Sequence, residues 1–231
     1  MSDPGPLGLQ EAIGELLQET GARLARAFRF AFADRAWPQR YGMAALVLLI
    51  PVAGYLALLG WQRRVYEAIR RGERQLPRLA LRGDVRLGLP TFVNLLLFFS
   101  VPLLAAGLAS PRRVFQRGGP GFFVDTTATL LCVAIFVVFP ELLRRALVAG
   151  DPLAVARPWA SLVVVRRRPA AYIVTGLAMF AAYLVMALGG YASFGIGLVL
   201  LAPPCHVLAA HLMTEWQHDV EASAPAVSPG G

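Results

Sequence analysis

The chain contains no lysine; all 22 of its basic residues are arginine. Charge of either sign is scarce, 16% of residues against 57% hydrophobic, and there are only two cysteines and three histidines. So low a charged fraction excludes a soluble globular domain of ordinary composition, where about a quarter of residues are charged. Cys132 and Cys205 both lie inside apolar runs, which excludes a disulfide framework and suits two small buried side chains. No basic segment precedes the first acidic residues, so no cleaved secretory signal is expected. Gly-x-Ser-x-Gly, His-Glu-x-x-His and phosphate-loop motifs are all missing, so neither an enzyme nor a cofactor is expected. The net charge of +8 would suit nucleic acid, but its arginines stand beside apolar runs rather than on a polar fold, and no nucleic-acid partner is expected. Arginine to the exclusion of lysine fits a GC-rich prokaryotic genome.

What is present is a set of apolar runs, at residues 43–61, 87–109, 122–143, 171–188 and 191–213. Each is near the roughly 20 residues a helix needs to cross a bilayer. The third alone carries charged side chains, Asp125 and Glu141, both near its ends. In lipid every backbone group must be satisfied internally, and runs without period-2 alternation exclude a barrel. The expected fold is all-α: a polytopic membrane protein with about five membrane segments and two interfacial amphipathic helices. Its domains read as a flank (1–40), a membrane domain (41–218) and a disordered tail (219–231).

The flank places Ile13, Leu17, Leu24 and Phe28 on one helical face with Glu11, Glu15 and Arg29 opposite, the pattern of a helix lying in the interface or, nearly as well, of one packed on the end of the bundle. Asp151-Pro152 starts the second such helix, with Leu153, Ala156, Ala160 and Val163 continuing its apolar face. Gly189-Gly190 is expected to turn the chain between the last two runs. Pro203-Pro204 should kink the last run, and Ser193 and Gly197 give it a face of small residues.

Arginine-rich short loops stay on the cytoplasmic side. Eight arginines fall between the first and second runs and six between the third and fourth, but only Arg112, Arg113 and Arg117 between the second and third. Loops 62–86 and 144–170 are therefore expected inside, in a cell inner membrane. The N-terminal arginines then conflict with a full first crossing. Either residues 43–61 cross while acidic residues balance that vote, which is favoured, or they dip into the membrane at Pro51 and return.

Between the first two runs, "WQRRVYEAIRRGERQLPRL" puts Trp61, Val65 and Ile69 on one face. Trp61 suits the membrane interface, Gly72 a helix stop, and Asp84 the cap of the next helix. Arg63, Arg64, Arg70, Arg71 and Arg74 are candidate contacts for anionic lipid headgroups; an orientation signal is the more economical reading. The stretch, with Gly60-Trp61, Gly72-Glu73, Leu76-Pro77, Asp84 and Gly88, resembles the prokaryotic integral-membrane family catalogued as domain of unknown function 4013, over residues 41 to about 105. The turn "RLALRGD" is more basic than the family's acidic, aromatic one. The resemblance implies a polytopic membrane protein and brings no activity with it.

His206 lies inside the last run, and Glu141 is the nearest candidate partner; together they form a candidate intramembrane polar site. His211, Glu215 and His218 share a helical face, but no further ligands accompany them, so no metal is expected. "PELLRR", residues 140–145, is similar to the glutamate–arginine motif of intramembrane CAAX-type proteases but lacks the paired glutamate. The expected function is a non-enzymatic scaffold, or a binder of lipid or of a partner protein, with a second copy or another membrane protein as partner. A small oligomeric transporter or channel subunit is the alternative.

Overall fold

The computed structural model describes residues 6–108, 139–147 and 157–222, and among them every regular element is helical. In chain order these are α1 (Pro6–Ala33), α2 (Trp37–Leu48), α3 (Ala53–Arg70), α4 (Leu81–Leu108), a helical segment over 139–147, α5 (Pro158–Arg167), α6 (Pro169–Ala192) and α7 (Ile196–Glu221). The expected span over 122–138, with Asp125 and Cys132, lies outside the described residues. So do the loop with Arg112, Arg113 and Arg117, the helix start at Asp151-Pro152, and residues 223–231.

The first apolar run is not one helix. α2 ends at Leu48, and Pro51, which cannot donate a backbone hydrogen bond, sits in the break. Val52 there adopts φ 60° and ψ −60°, and the Ala53 amide donates to the Pro51 carbonyl at 2.6 Å, closing a γ-turn. A Cβ on Gly54 would stand 2.1 Å from the Val47 carbonyl oxygen, so only glycine lets the two arms leave the turn so close together. Ten residues to either side of Pro51, the Tyr41 and Trp61 rings meet edge to face at 6.2 Å. The chain reverses there as a hairpin, so the favoured reading of 43–61 as one continuous crossing helix is corrected and the broken form of the alternative is what the backbone adopts.

α3 then packs along α4, and glycine again sets the approach. A Cβ at Gly60 would fall 1.8 Å from the Asp84 carbonyl oxygen, and one at Gly88 1.9 Å from that of Leu56. Between the two helices Gly72, at φ 74°, closes a Schellman motif: its amide donates to Ile69 and that of Glu73 to Ala68.

α7 is the central helix and packs on α1, α2, α3 and α6. Val207, Ala209, Ala210, Leu212, Met213 and Trp216 are fully buried along it. Pro203 and Pro204 lie within α7 without ending it. Gly189 and Gly190 lie inside α6, so they do not turn the chain; the turn comes at 193–195, where Gly195 has φ 94°. The glycines serve closeness instead: a Cβ at Gly189 would stand 2.4 Å from the Leu201 side chain and one at Gly190 3.0 Å from that of Leu198, while a Cβ at Gly197 on the facing helix would meet the Gly189 carbonyl oxygen at 2.4 Å. The Ser193 hydroxyl accepts from the Gly197 amide at 2.6 Å, securing the start of α7.

Of the two placements expected of the flank helix the structure shows the packed one: Ala27 and Ala31 are fully buried in the common core, and α1 packs on α6 and α7. At the other end, Asp219 and Glu221 belong to α7 rather than to a tail. α6 and α7 are long and apolar enough to cross a membrane.

Candidate functional site

Ion pairs between helices gather at one end of the bundle, where α3 ends, α4 begins and α7 ends. Most positions of the family-like motif have a packing role there, while Gly72 and Glu73 stay exposed in the turn after α3. The Arg64 guanidinium grips Asp84 with two bonds, Nε to Oδ1 at 2.6 Å and Nη2 to Oδ2 at 2.7 Å, and also donates to the Arg78 carbonyl. Asp84 is fully buried. It does not cap α4 as expected; it sits in the first turn and reaches back to accept the Ala80 amide at 2.6 Å. Trp61 is fully buried rather than interfacial, and its indole N–H donates to the Pro77 carbonyl at 2.8 Å. Leu76 is buried, and its amide donates to Asp34 at 2.9 Å, tying the loop back to the α1–α2 junction. Burial alone would raise the Asp34 pKa, but the Ala36 and Leu76 amides and the Arg40 guanidinium outweigh it and hold the carboxyl below its ordinary value.

Among the candidate lipid contacts, Arg64 is thus structural. Arg63 pairs with Glu67 at 3.2 Å, Arg70 with Glu221 at 3.0 Å and Arg71 with Glu73 at 2.6 Å, whereas Arg74 is exposed and makes no ion pair among the described residues. Arg70 and Arg71 also border an open cleft of about 360 Å³, together with Tyr66, Glu67 and Leu147.

Glu141 and His206 do not form one site. Glu141, fully buried, accepts two bonds from Arg144, at 2.6 and 2.7 Å, and one from the Trp216 indole at 2.7 Å; Arg144 also donates to Gln217. His206 stands ten residues earlier on α7, about 15 Å along the axis. Its partner is Gln62, with Nδ1 and Oε1 2.9 Å apart, and the rings of Tyr55 and Tyr183 flank it at 6.2 and 6.1 Å.

The face of His211, Glu215 and His218 serves to dock α1. Arg26 donates to Glu215 at 2.7 Å, which raises the Arg26 pKa further above its usual value, and Arg23 reaches Asp219 at 2.9 Å and Thr175 at 3.1 Å. His211 is left 3.9 Å from Glu215, and His218 is exposed. Cys205 is buried as expected, its thiol against the Ala182 carbonyl at 3.4 Å.

Gln62, Asp34, Trp216 and Gln217 escaped the sequence reading, though each is a polar group at the edge of an apolar run. Such groups read as boundaries until a second helix supplies a partner. Comparison with known protein families, with curated proteins and with solved structures returns no match for this chain.

Proposed function

We propose that this chain is a multi-pass protein of a prokaryotic inner membrane. Its charged end faces the cytoplasm, and without catalysis it scaffolds, or binds lipid, a second copy or another membrane protein. The observation that carries the reading is the apolar surface left uncovered. Along α6, Ile173, Leu177, Phe180, Leu184 and Leu188 form an exposed stripe, and at the α6–α7 tip Tyr191 is 87% and Phe194 99% exposed. In water so large an apolar patch would drive association, whereas in lipid it is the ordinary outer face of a helix. A buried core helix of a soluble protein would hide this stripe.

Further support comes from the distribution of charge. α6 contains no acidic or basic residue, and neither does the chain from residue 41 to 62 or from 87 to 108. Exposed Trp37 on α2 and Trp159 on α5 stand near the charged end, where aromatic side chains mark a membrane interface. The α2–α3 hairpin, read as a dip, resolves the N-terminal conflict: α1, loop 62–86 and the end of α7 share one side, with both ends of the described chain inside. The stretch that resembles the domain of unknown function 4013 forms the α3–α4 packing unit, and that sequence resemblance alone is the ground for proposing the family.

Accessibility labelling tests this. Single cysteines replacing Gln18 and Gln75 should both resist an impermeant reagent in intact cells, while one replacing Phe194 should react. Labelling of the Gln75 position from outside overturns the orientation, and labelling of the Gln18 position alone restores a first crossing.

The transporter reading keeps one specific support, the buried His206–Gln62 pair between α7 and the α2–α3 hairpin. Proton flux into dye-loaded liposomes that disappears in His206→Ala would favour it over scaffolding.

A further inference from the structure

Tyr66 has a feature that membrane orientation does not require. The residue is 2% exposed and its buried hydroxyl has no acceptor for its proton, and it lines the open cleft bordered by Arg70 and Arg71. Buried hydroxyls ordinarily donate to an acceptor, so one that lacks an acceptor beside a cleft marks the place of one. The charged groups around it are Arg70, Arg144 and Glu221; burial raises the Tyr66 pKa and so does Glu221, while the two guanidiniums lower it, Arg70 also through a hydrogen bond to the hydroxyl oxygen. Arg144 is committed to Glu141 and Gln217, so the available cations are Arg70 and Arg71. Each holds its carboxylate through one bond in an exposed ion pair, which is weak and leaves further N–H donors for another acceptor. Glu67 on the rim is neutralised by Arg63.

We propose that this cleft binds a phosphate-bearing anion, the headgroup phosphate of an anionic phospholipid. The Tyr66 hydroxyl donates to one phosphate oxygen, Arg70 and Arg71 donate to the others, and Leu147 lies beside the apolar part of the lipid. A phosphate offers several acceptor oxygens to a hydroxyl and two guanidiniums at once. The volume, about 360 Å³, far exceeds the roughly 30 Å³ of one water and accommodates a glycerophosphate headgroup. Depth agrees as well. Tyr66 lies thirteen residues along α3 from Ala53, roughly 20 Å from the hairpin tip. If the tip reaches the middle of a ~30 Å hydrocarbon core, Tyr66 stands at the headgroups. The site rests on the membrane reading and deepens it by naming the ligand.

The test uses the purified full chain, with phosphatidylglycerol, phosphatidylcholine and inorganic phosphate as probes, read by native mass spectrometry and thermal melting. Wild type should retain phosphatidylglycerol over phosphatidylcholine and gain Tm from it. Tyr66→Phe, which removes only the hydroxyl and keeps the buried ring, is expected to weaken retention roughly tenfold. Arg70→Gln with Arg71→Gln should abolish the preference, while Arg167→Gln on α5 leaves it intact. Equal retention by wild type and Tyr66→Phe overturns the site. Equal loss in Arg167→Gln overturns it too, since binding would then follow total charge. Inorganic phosphate that displaces the lipid and raises Tm by itself overturns the lipid as the source of the anion. A chain that fails to float with liposomes instead refutes the membrane reading beneath it.

Discussion

Arg64 and Asp84 join two helices through a carboxylate withdrawn from water. Removing one partner of such a pair leaves the other charge buried and uncompensated, so Arg64→Gln or Asp84→Asn should destabilise the protein by about 3–5 kcal/mol. Thermal melting in detergent measures this, and a loss near the ~1 kcal/mol of a surface pair would show that water reaches the site. Asp34 makes a second such link, here to a backbone amide. Its folded pKa is depressed, so its contribution is fully present above the ordinary aspartate range near 3.8 and disappears as pH falls through the lower folded value. Asp34→Asn should therefore be less stable than wild type at neutral pH, and the difference should close below about pH 4. A difference independent of pH would point to the lost Leu76 contact alone.

At the scale of elements, the same residue type has opposite roles in neighbouring positions. Gly60 and Gly88 let α3 and α4 touch through their backbones, and an added methyl would overlap a carbonyl oxygen that belongs to the partner helix. Gly83 lies in the first turn of α4 with nothing within 4 Å of an added Cβ. Gly60→Ala and Gly88→Ala should each destabilise by about 3 kcal/mol or more. Gly83→Ala should stabilise by roughly 0.5–1 kcal/mol, through helix propensity alone. Melting of the three variants side by side is the check. The α2–α3 turn offers a third case: Val52 holds φ 60° with a branched side chain, so Val52→Gly should relieve strain and raise Tm.

For the whole molecule, the hairpin makes a depth prediction. α2 is 12 residues long, about 18 Å, too short to cross. Spin labels at Leu49 and Ile50 should therefore report the bilayer interior, while a label at Phe194 reports the far surface. Leu49 and Ile50 labels accessible to an aqueous relaxing agent would mean that the first run crosses.

Helical class, the apolar runs and the clustering of arginine were all legible in the linear order, because hydrophobic length and backbone hydrogen bonding within a helix act on each segment alone. The motif at residues 60–88 stood out as a pattern, yet its meaning as a packing unit did not, since Gly60 and Gly88 have a reason to be glycine only when α3 lies against α4. The tertiary structure decided what depends on pairs of distant segments. It divided the first run into a hairpin through the Tyr41–Trp61 contact. It gave His206 to Gln62 and Glu141 to Arg144 and Trp216, and it folded α1 onto α6 and α7 through Arg23 and Arg26. A polar residue in an apolar run shows in sequence that it must find a partner; which partner it finds depends on the helix that packing brings alongside.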